Sequence, residues 1–184
     1  MRLEDLNWMD VEAYLRQDDR IMLILGSTEQ HGYLSLATDT RIPQALADAA
    51  SQRTGVLIAP ALPFGVSPFF EAYPGTLSLR LATYLELLEE LVRGLYRQGF
   101  HGVQIAIGHG GNFPALTRLS ELANELPGLR LGLHAWFEEP GALAVAERHH
   151  LRPDHASWWE AFPFTRVAEL PPGEKQPVEI PPLT

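Results

Sequence analysis

The sequence predicts an α/β fold, a three-layer α/β/α sandwich on a mainly parallel sheet. Three observations carry that expectation. Short continuous apolar runs recur along the chain, as strands buried on both faces require. Segments of helical periodicity separate them, and the alternation of the two kinds favours parallel strands with right-handed crossovers. Glycine ends most of these segments, marking where each element stops.

Taken in order, residues 10–16 read as a short opening helix and residues 21–25 (IMLIL) as a buried strand that Gly26 ends. Residues 41–53 place Ile42, Ala45, Leu46 and Ala49 at helical spacing, Gly55 stops them, and residues 56–59 (VLIA) form the next strand. Residues 60–75 are rich in Pro, Gly and aromatics and read as a long loop, which in a compact domain is often functional. Leu81, Tyr84, Leu85, Leu88, Leu91, Val92 and Leu95 then form the strongest helical stripe, closed by Gly99.

Residues 103–107 (VQIAI) predict another buried strand, followed by His109-Gly-Gly-Asn112. A helix begins with Pro114 in its first turn and turns Leu116, Leu119, Leu122 and Leu126 inward. Residues 129–136 suggest one more strand. A single domain over 1–162 follows, with 163–184 as a Pro-rich extended tail, because proline and charge disfavour both helix and central strand.

Composition narrows the functions. At 184 residues, 46% hydrophobic and 20% charged, the chain suits one well-packed core. No apolar run approaches the roughly 20 residues that cross a bilayer. The opening MRLEDLNWMD has acids where a secretory signal is basic, so a cytoplasmic protein without membrane partners is expected. A net charge of −9 with scattered cations argues against nucleic acid. Cysteine is absent, so any metal must be held by nitrogen and oxygen.

In an open α/β sheet, ligands bind at the carboxyl ends of strands, and two polar segments begin there. The first, GSTEQHGYLSLATDT, places Glu29 and His31 two apart, on one side of an extended segment, with Asp39 just before a helix. Singly, Asp39 or Thr40 reads equally well as an N-cap, Glu29 as a surface charge and His31 as a loop residue. Together, carboxylates and imidazoles at neighbouring strand ends match what zinc or manganese accepts.

The second segment, His109 to Asn112, reads as a histidine ligand beside a backbone open to substrate, as an anion cradle, or as a tight turn capped by Asn112. A further group, Asp154-His155-Ala-Ser-Trp-Trp-Glu160, sets His155 and Glu160 five apart at an expected helix start. Its tryptophans suit either a pocket wall or core packing, and its bland reading is an Asp154 cap beside an exposed histidine. His101, His134, His149 and His150 are read as structural or surface residues.

GSTEQHG...TDT, GHGGN and HA...E, in that order and separation, resemble the creatininase family of metal-dependent amidohydrolases from about residue 20 to 162. The resemblance implies α/β/α layers, a homo-oligomer that is usually a hexamer, and two divalent ions (zinc, manganese or iron) bridged by an aspartate and a water or hydroxide. Asp39 is then the bridge. Glu29 and His109 complete one metal, His31 and Glu160 the other, and His155 assists proton transfer to the leaving nitrogen. The bond cleaved is expected to be a non-peptide C–N bond of a small molecule, in a cyclic amide, amidine or formamide. Ser27 and Ser157 are not expected as nucleophiles, since neither has a recognisable base.

Two alternatives are weighed. The third motif reads HASWWEAF against the usual HAGEFETS, which suits a family member that has lost catalysis and serves as an assembly or ligand-binding subunit. A phosphate- or nucleotide-binding module built on His109 to Asn112 lacks a Walker lysine and a full GxGxxG.

Overall fold

The computed structural model describes residues 1–169 and Pro172. The opening helix α1 (Trp8–Leu15) starts two residues before its expected position, because Asn7 caps it by accepting from the Met9 and Asp10 amides while Asp10 returns a bond to the Asn7 amide. Strand β1 (Arg20–Leu25) follows, then α2 (Thr38–Thr54), β2 (Leu57–Ile58), α3 (Leu81–Arg97) and β3 (Gly102–Ile107). The chain continues through α4 (Ala115–Glu125) and β4 (Arg130–Ala135) to α5 (Pro140–Arg148). The strand and helix types agree with the sequence, apart from α5, which the pattern did not suggest.

The four strands run parallel in the order β2-β1-β3-β4. Helices α3 and α4 with α1 cover one face, where Leu23, Tyr84, Leu88, Val92, Ile105, Leu119 and Leu122 form the main core. Helix α2 covers the other face over β1 and β2, burying Met22, Ile24, Ala47 and Ile58. Fully burying each such side chain contributes about 1.5–3 kcal/mol, so the sheet is held chiefly by these layers. The expected inward stripe of α3 is narrower than predicted. Leu81 and Leu91 are exposed, Leu91 because it lines a groove of about 770 Å³ between α1 and α3 instead of packing against the sheet.

Three local expectations need correction. Helix α2 starts at Thr38, so Asp39 and Thr40 lie inside its first turn and neither caps it; the N-cap is Ala37. No helix starts at His155; a 3-10 turn, Trp158–Glu160, stands there. Asn112 does not cap α4, whose N-cap is Pro114, because its side chain is used elsewhere. The expected tail over 163–184 lies largely outside the described residues. Its first part packs back on the domain: Thr165 accepts from the Ser35 amide, and Phe164 accepts from Arg41.

Candidate metal centre

Strands β1 and β3 are neighbours in register Leu25↔Ile107, so the segments that follow them leave the sheet side by side. Gly26 and Gly108 then allow the first turn of α2 to press down on both. A Cβ on Gly108 would lie 1.8 Å from the Asp39 carbonyl oxygen, and one on Gly26 would lie 2.1 Å from Thr40 Oγ1. Pro43 lacks the N–H that would otherwise bond the Asp39 carbonyl, so this turn is shaped by packing as well as by its own helix. The outcome is a buried Asp39 carboxylate between the two strand ends.

Asp39 is the hub. Its Oδ1 lies 2.9 Å from His31 Nε2, and its Oδ2 lies 2.9 Å from His109 Nδ1 and accepts from Ser27 Oγ at 2.8 Å. Glu29 Oε1 is 3.4 Å from His109 Nδ1, and Glu160 Oε2 is 3.8 Å from His31 Nε2. Ligand atoms of Glu29, Asp39 and His109 fall within 4.8 Å of one another, as do those of His31, Asp39 and Glu160. A third grouping, Glu29, His31 and His155, meets the same limit.

The outer partners fix which imidazole nitrogen faces the centre. His31 Nδ1 donates to the Glu29 carbonyl at 3.0 Å, which turns Nε2 inward. His109 Nε2 donates to the Val66 carbonyl at 2.9 Å, with Ser67 Oγ 3.2 Å away, which turns Nδ1 inward. Such second contacts orient metal-binding histidines and select their tautomer. Asn112 ties the same parts together, accepting from the Val66 amide and donating to the Gly26 carbonyl. Glu160 is held by the Ala156 amide at 2.6 Å.

Burial opposes charge on His31, but the hydrogen bond and charge of Asp39, with the charge of Glu160, outweigh it and hold the imidazole up at about 9. For His109 burial is likewise overcome, by Asp39 and Glu29, and its value is about 10. Burial would raise Asp39, yet hydrogen bonds from His109 and His31 keep it well below the usual carboxylate range. Glu160 is pushed up to about 7 by burial, against the charge of His31. His155 is lowered, by burial first and the charge of His31 second.

The donor set suits a divalent cation. It contains imidazole and carboxylate and no sulfur, as zinc and manganese accept. Glu29 Oε2 is buried with no hydrogen-bond partner among the described residues, an omission that costs about 1–3 kcal/mol unless a cation meets it. In the cation-free chain, protons on His31 and His109 balance the carboxylates.

All six residues singled out in the sequence converge here: Glu29, His31, Asp39, His109 and Glu160 are buried, and His155 stands at the rim. His155 Nε2 donates to the Gln30 carbonyl at 2.8 Å, its Nδ1 lies 3.8 Å from Glu29 Oε1, and its ring stacks on Phe70 with centroids 4.5 Å apart. Trp159 packs into a small core against Trp136, while Trp158 is half exposed. Ser27, Gln30, Ser67 and Phe70 belong to the site without having been singled out for it. Only the length of the 60–75 loop hinted at the last two, since nothing periodic marks them.

Comparison with known proteins identifies the family. Residues 4–162 match the creatininase family, described as creatinine amidohydrolase. Creatinine amidohydrolase of Pseudomonas putida is 29% identical over 126 residues, 65% of this chain and 48% of that protein. Mycofactocin precursor peptide peptidase of Mycolicibacterium smegmatis is 38% identical over 104 residues, 53% of this chain and 42% of the relative. The matched segment thus spans less than half of each of these relatives. A solved structure named creatininase Mn shares the fold with a TM-score of 0.79 and 22% identity, covering 100% of this chain and 82% of that one. A mutant creatininase of Zn-Zn type does so with 0.78 and 21%, at the same coverage. With the sheet order and a family match over most of its length, the chain belongs to the creatininase family.

Proposed function

We propose that this chain is a metal-dependent amidohydrolase that cleaves a C–N bond of a small molecule, in a cyclic amide, amidine or formamide. One observation carries the reading: two buried three-ligand sets share Asp39, one offering Glu29 and His109 and the other His31 and Glu160. These sets would each hold one divalent ion, zinc, manganese or iron. Such a pair supplies Lewis acidity toward a carbonyl and a water acidic enough to attack at neutral pH.

The chain's own residues do the rest. Asp39, shared by both sets, would neutralise charge on both sides of the centre. With Nε2 donating to the Gln30 carbonyl, His155 turns Nδ1 toward Glu29, where it would take the proton that the attacking water gives up and hand it to the leaving nitrogen as the C–N bond breaks. The Phe70 ring holds His155 in that orientation, and the loop carrying Val66 and Ser67 closes over His109 and keeps water from its outer nitrogen. No serine nucleophile is required.

A second reading, peptide substrates, is favoured by the 38% identity to a peptide peptidase. We further propose that the chain works in the cytoplasm as a homo-oligomer, up to a hexamer. Among the described residues no helix is long and apolar enough to cross a membrane.

The test is reconstitution with manganese or zinc, metal analysis, and assay against a panel of cyclic amides, formamides and short peptides. About two ions per chain and hydrolysis lost in Asp39→Asn are expected, and recovery of less than about half an ion per chain would overturn the reading. Stoichiometric metal without hydrolysis of any panel member would favour the binding-subunit alternative.

A further inference from the structure

Ser27 lies directly after Gly26 at the end of β1 and is completely buried, yet its hydroxyl bonds to no backbone group among the described residues. It donates to Asp39 Oδ2 at 2.8 Å. Its backbone carbonyl accepts from Thr40 Oγ1 at 3.3 Å, which ties the same residue to the turn that carries Asp39. A buried hydroxyl aimed at the shared carboxylate has a use beyond filling space.

We propose that Ser27 is a positioning residue for the metal pair, acting through the orientation of the Asp39 carboxylate; the inference rests on the metal reading given above. Among the described residues three side chains hold that carboxylate: His31 on Oδ1, and His109 and Ser27 on Oδ2. The two imidazole contacts are made by the nitrogens that would bind the ions, so neither survives loading. Ser27 bonds Asp39 without belonging to either ligand set, and its hydrogen bond is the one that persists. It fixes the carboxylate plane, so that Oδ1 continues to face the His31 and Glu160 side while Oδ2 faces Glu29 and His109.

A hydroxyl suits this role. It donates one hydrogen bond, carries no charge into a site already rich in carboxylates, and keeps its proton at any working pH. It leaves the second lone-pair direction of Oδ2 available. Complete burial also keeps Ser27 Oγ away from a substrate.

The test is competitive titration of the metal-free protein with Zn²⁺ against a chromophoric chelator, alongside thermal melting of the same metal-free samples. Wild type, Ser27→Ala, Ser27→Thr and Asp39→Asn are compared. Loss of a second contact to a ligand weakens metal binding about 10–100-fold, and Ser27→Ala is expected to show that loss while Ser27→Thr, which restores the hydroxyl, stays within about threefold of wild type. Zn²⁺ binding by Ser27→Ala within about threefold of wild type overturns the role of Ser27 and leaves the metal reading intact. A loss that Ser27→Thr shares, or that follows a collapse of metal-free melting, assigns Ser27 to packing and overturns the inference as well. Wild type binding Zn²⁺ no better than Asp39→Asn refutes the metal reading itself.

Discussion

Replacing Gly108 by alanine tests how tightly the fold holds the bridging carboxylate. The added Cβ would sit 1.8 Å from the Asp39 carbonyl oxygen, 2.9 Å from its carbonyl carbon and 2.7 Å from Pro43 Cγ. Reaching even 3.0 Å from the oxygen requires 3.0 − 1.8 = 1.2 Å of movement. No flexible side chain can yield, because two of the three atoms are backbone and the third is a proline ring. Strand β3 is paired on both sides, by β1 and β4, so the first turn of α2 must move and carry Asp39 with it. Metal–oxygen and metal–nitrogen distances tolerate only about ±0.2 Å, so a shift of that size removes the shared ligand. Overpacking of this kind costs about 1–3 kcal/mol. At about 2–4 °C per kcal/mol for a chain of this size, Tm falls by roughly 2–12 °C. Gly110→Ala is the control, because nothing lies within 4 Å of a Cβ there. Melting, Zn²⁺ titration and hydrolysis of whichever substrate the panel yields should separate the two variants. A Gly108→Ala protein with wild-type zinc affinity and a Tm within about 1 °C of the parent would refute the reasoning.

Removing the His155 imidazole, as His155→Ala, should lower the hydrolytic rate by about 10²-fold or more while metal content stays at the wild-type level; a parallel fall in bound metal would make it a ligand instead. Glu160→Gln takes the carboxylate from the His31 side alone, so metal analysis should find about one ion per chain, and an unchanged pair would remove Glu160 from the site. The metal-free protein should also lose stability as pH rises. His31 and His109 have folded values of about 9 and about 10 against an ordinary 6.5, so their contribution is complete below about 6.5 and is lost on passing through about 9–10. Melting of the metal-free protein from pH 7 to pH 10 reads this directly, and a flat or rising Tm contradicts it. Zinc must displace the same protons, so its titration at pH 7 should release protons, seen as a binding enthalpy that depends on the buffer.

Much of the layered fold was legible locally. The run at 21–25 is apolar throughout because β1 is covered on both faces, whereas β3 alternates, burying Val103, Ile105 and Ile107 and leaving Gln104 and Ala106 partly exposed, and the periodicity of α3 and α4 follows from packing one side on that sheet. The errors have definite causes. Periodicity placed the start of α2 at its first regular apolar residues, whereas close approach to Gly26 and Gly108 draws the helix back to Thr38. The α3 stripe included Leu91 because spacing cannot distinguish a residue on the sheet from one on the rim of a groove. Helix α5 is short and begins at Pro140, and it is held by Ala146 packing in a cluster with Trp136 and with Ile42, a residue remote in sequence.

By itself, the sequence determined that strands and helices alternate, that the metal-type donors follow strand ends, and that no thiolate takes part. Those properties follow from residue type and spacing within a few positions. Only the tertiary structure decided that Asp39 faces both histidines, that Glu160 reaches His31 across 129 residues of chain, and that Ser27 and the 66–70 loop hold the outer contacts. Each of these depends on the register that sets Leu25 beside Ile107 and on helix α2 seating against Gly108. Strand pairing and packing volume are shared among distant segments, so no local pattern encodes them.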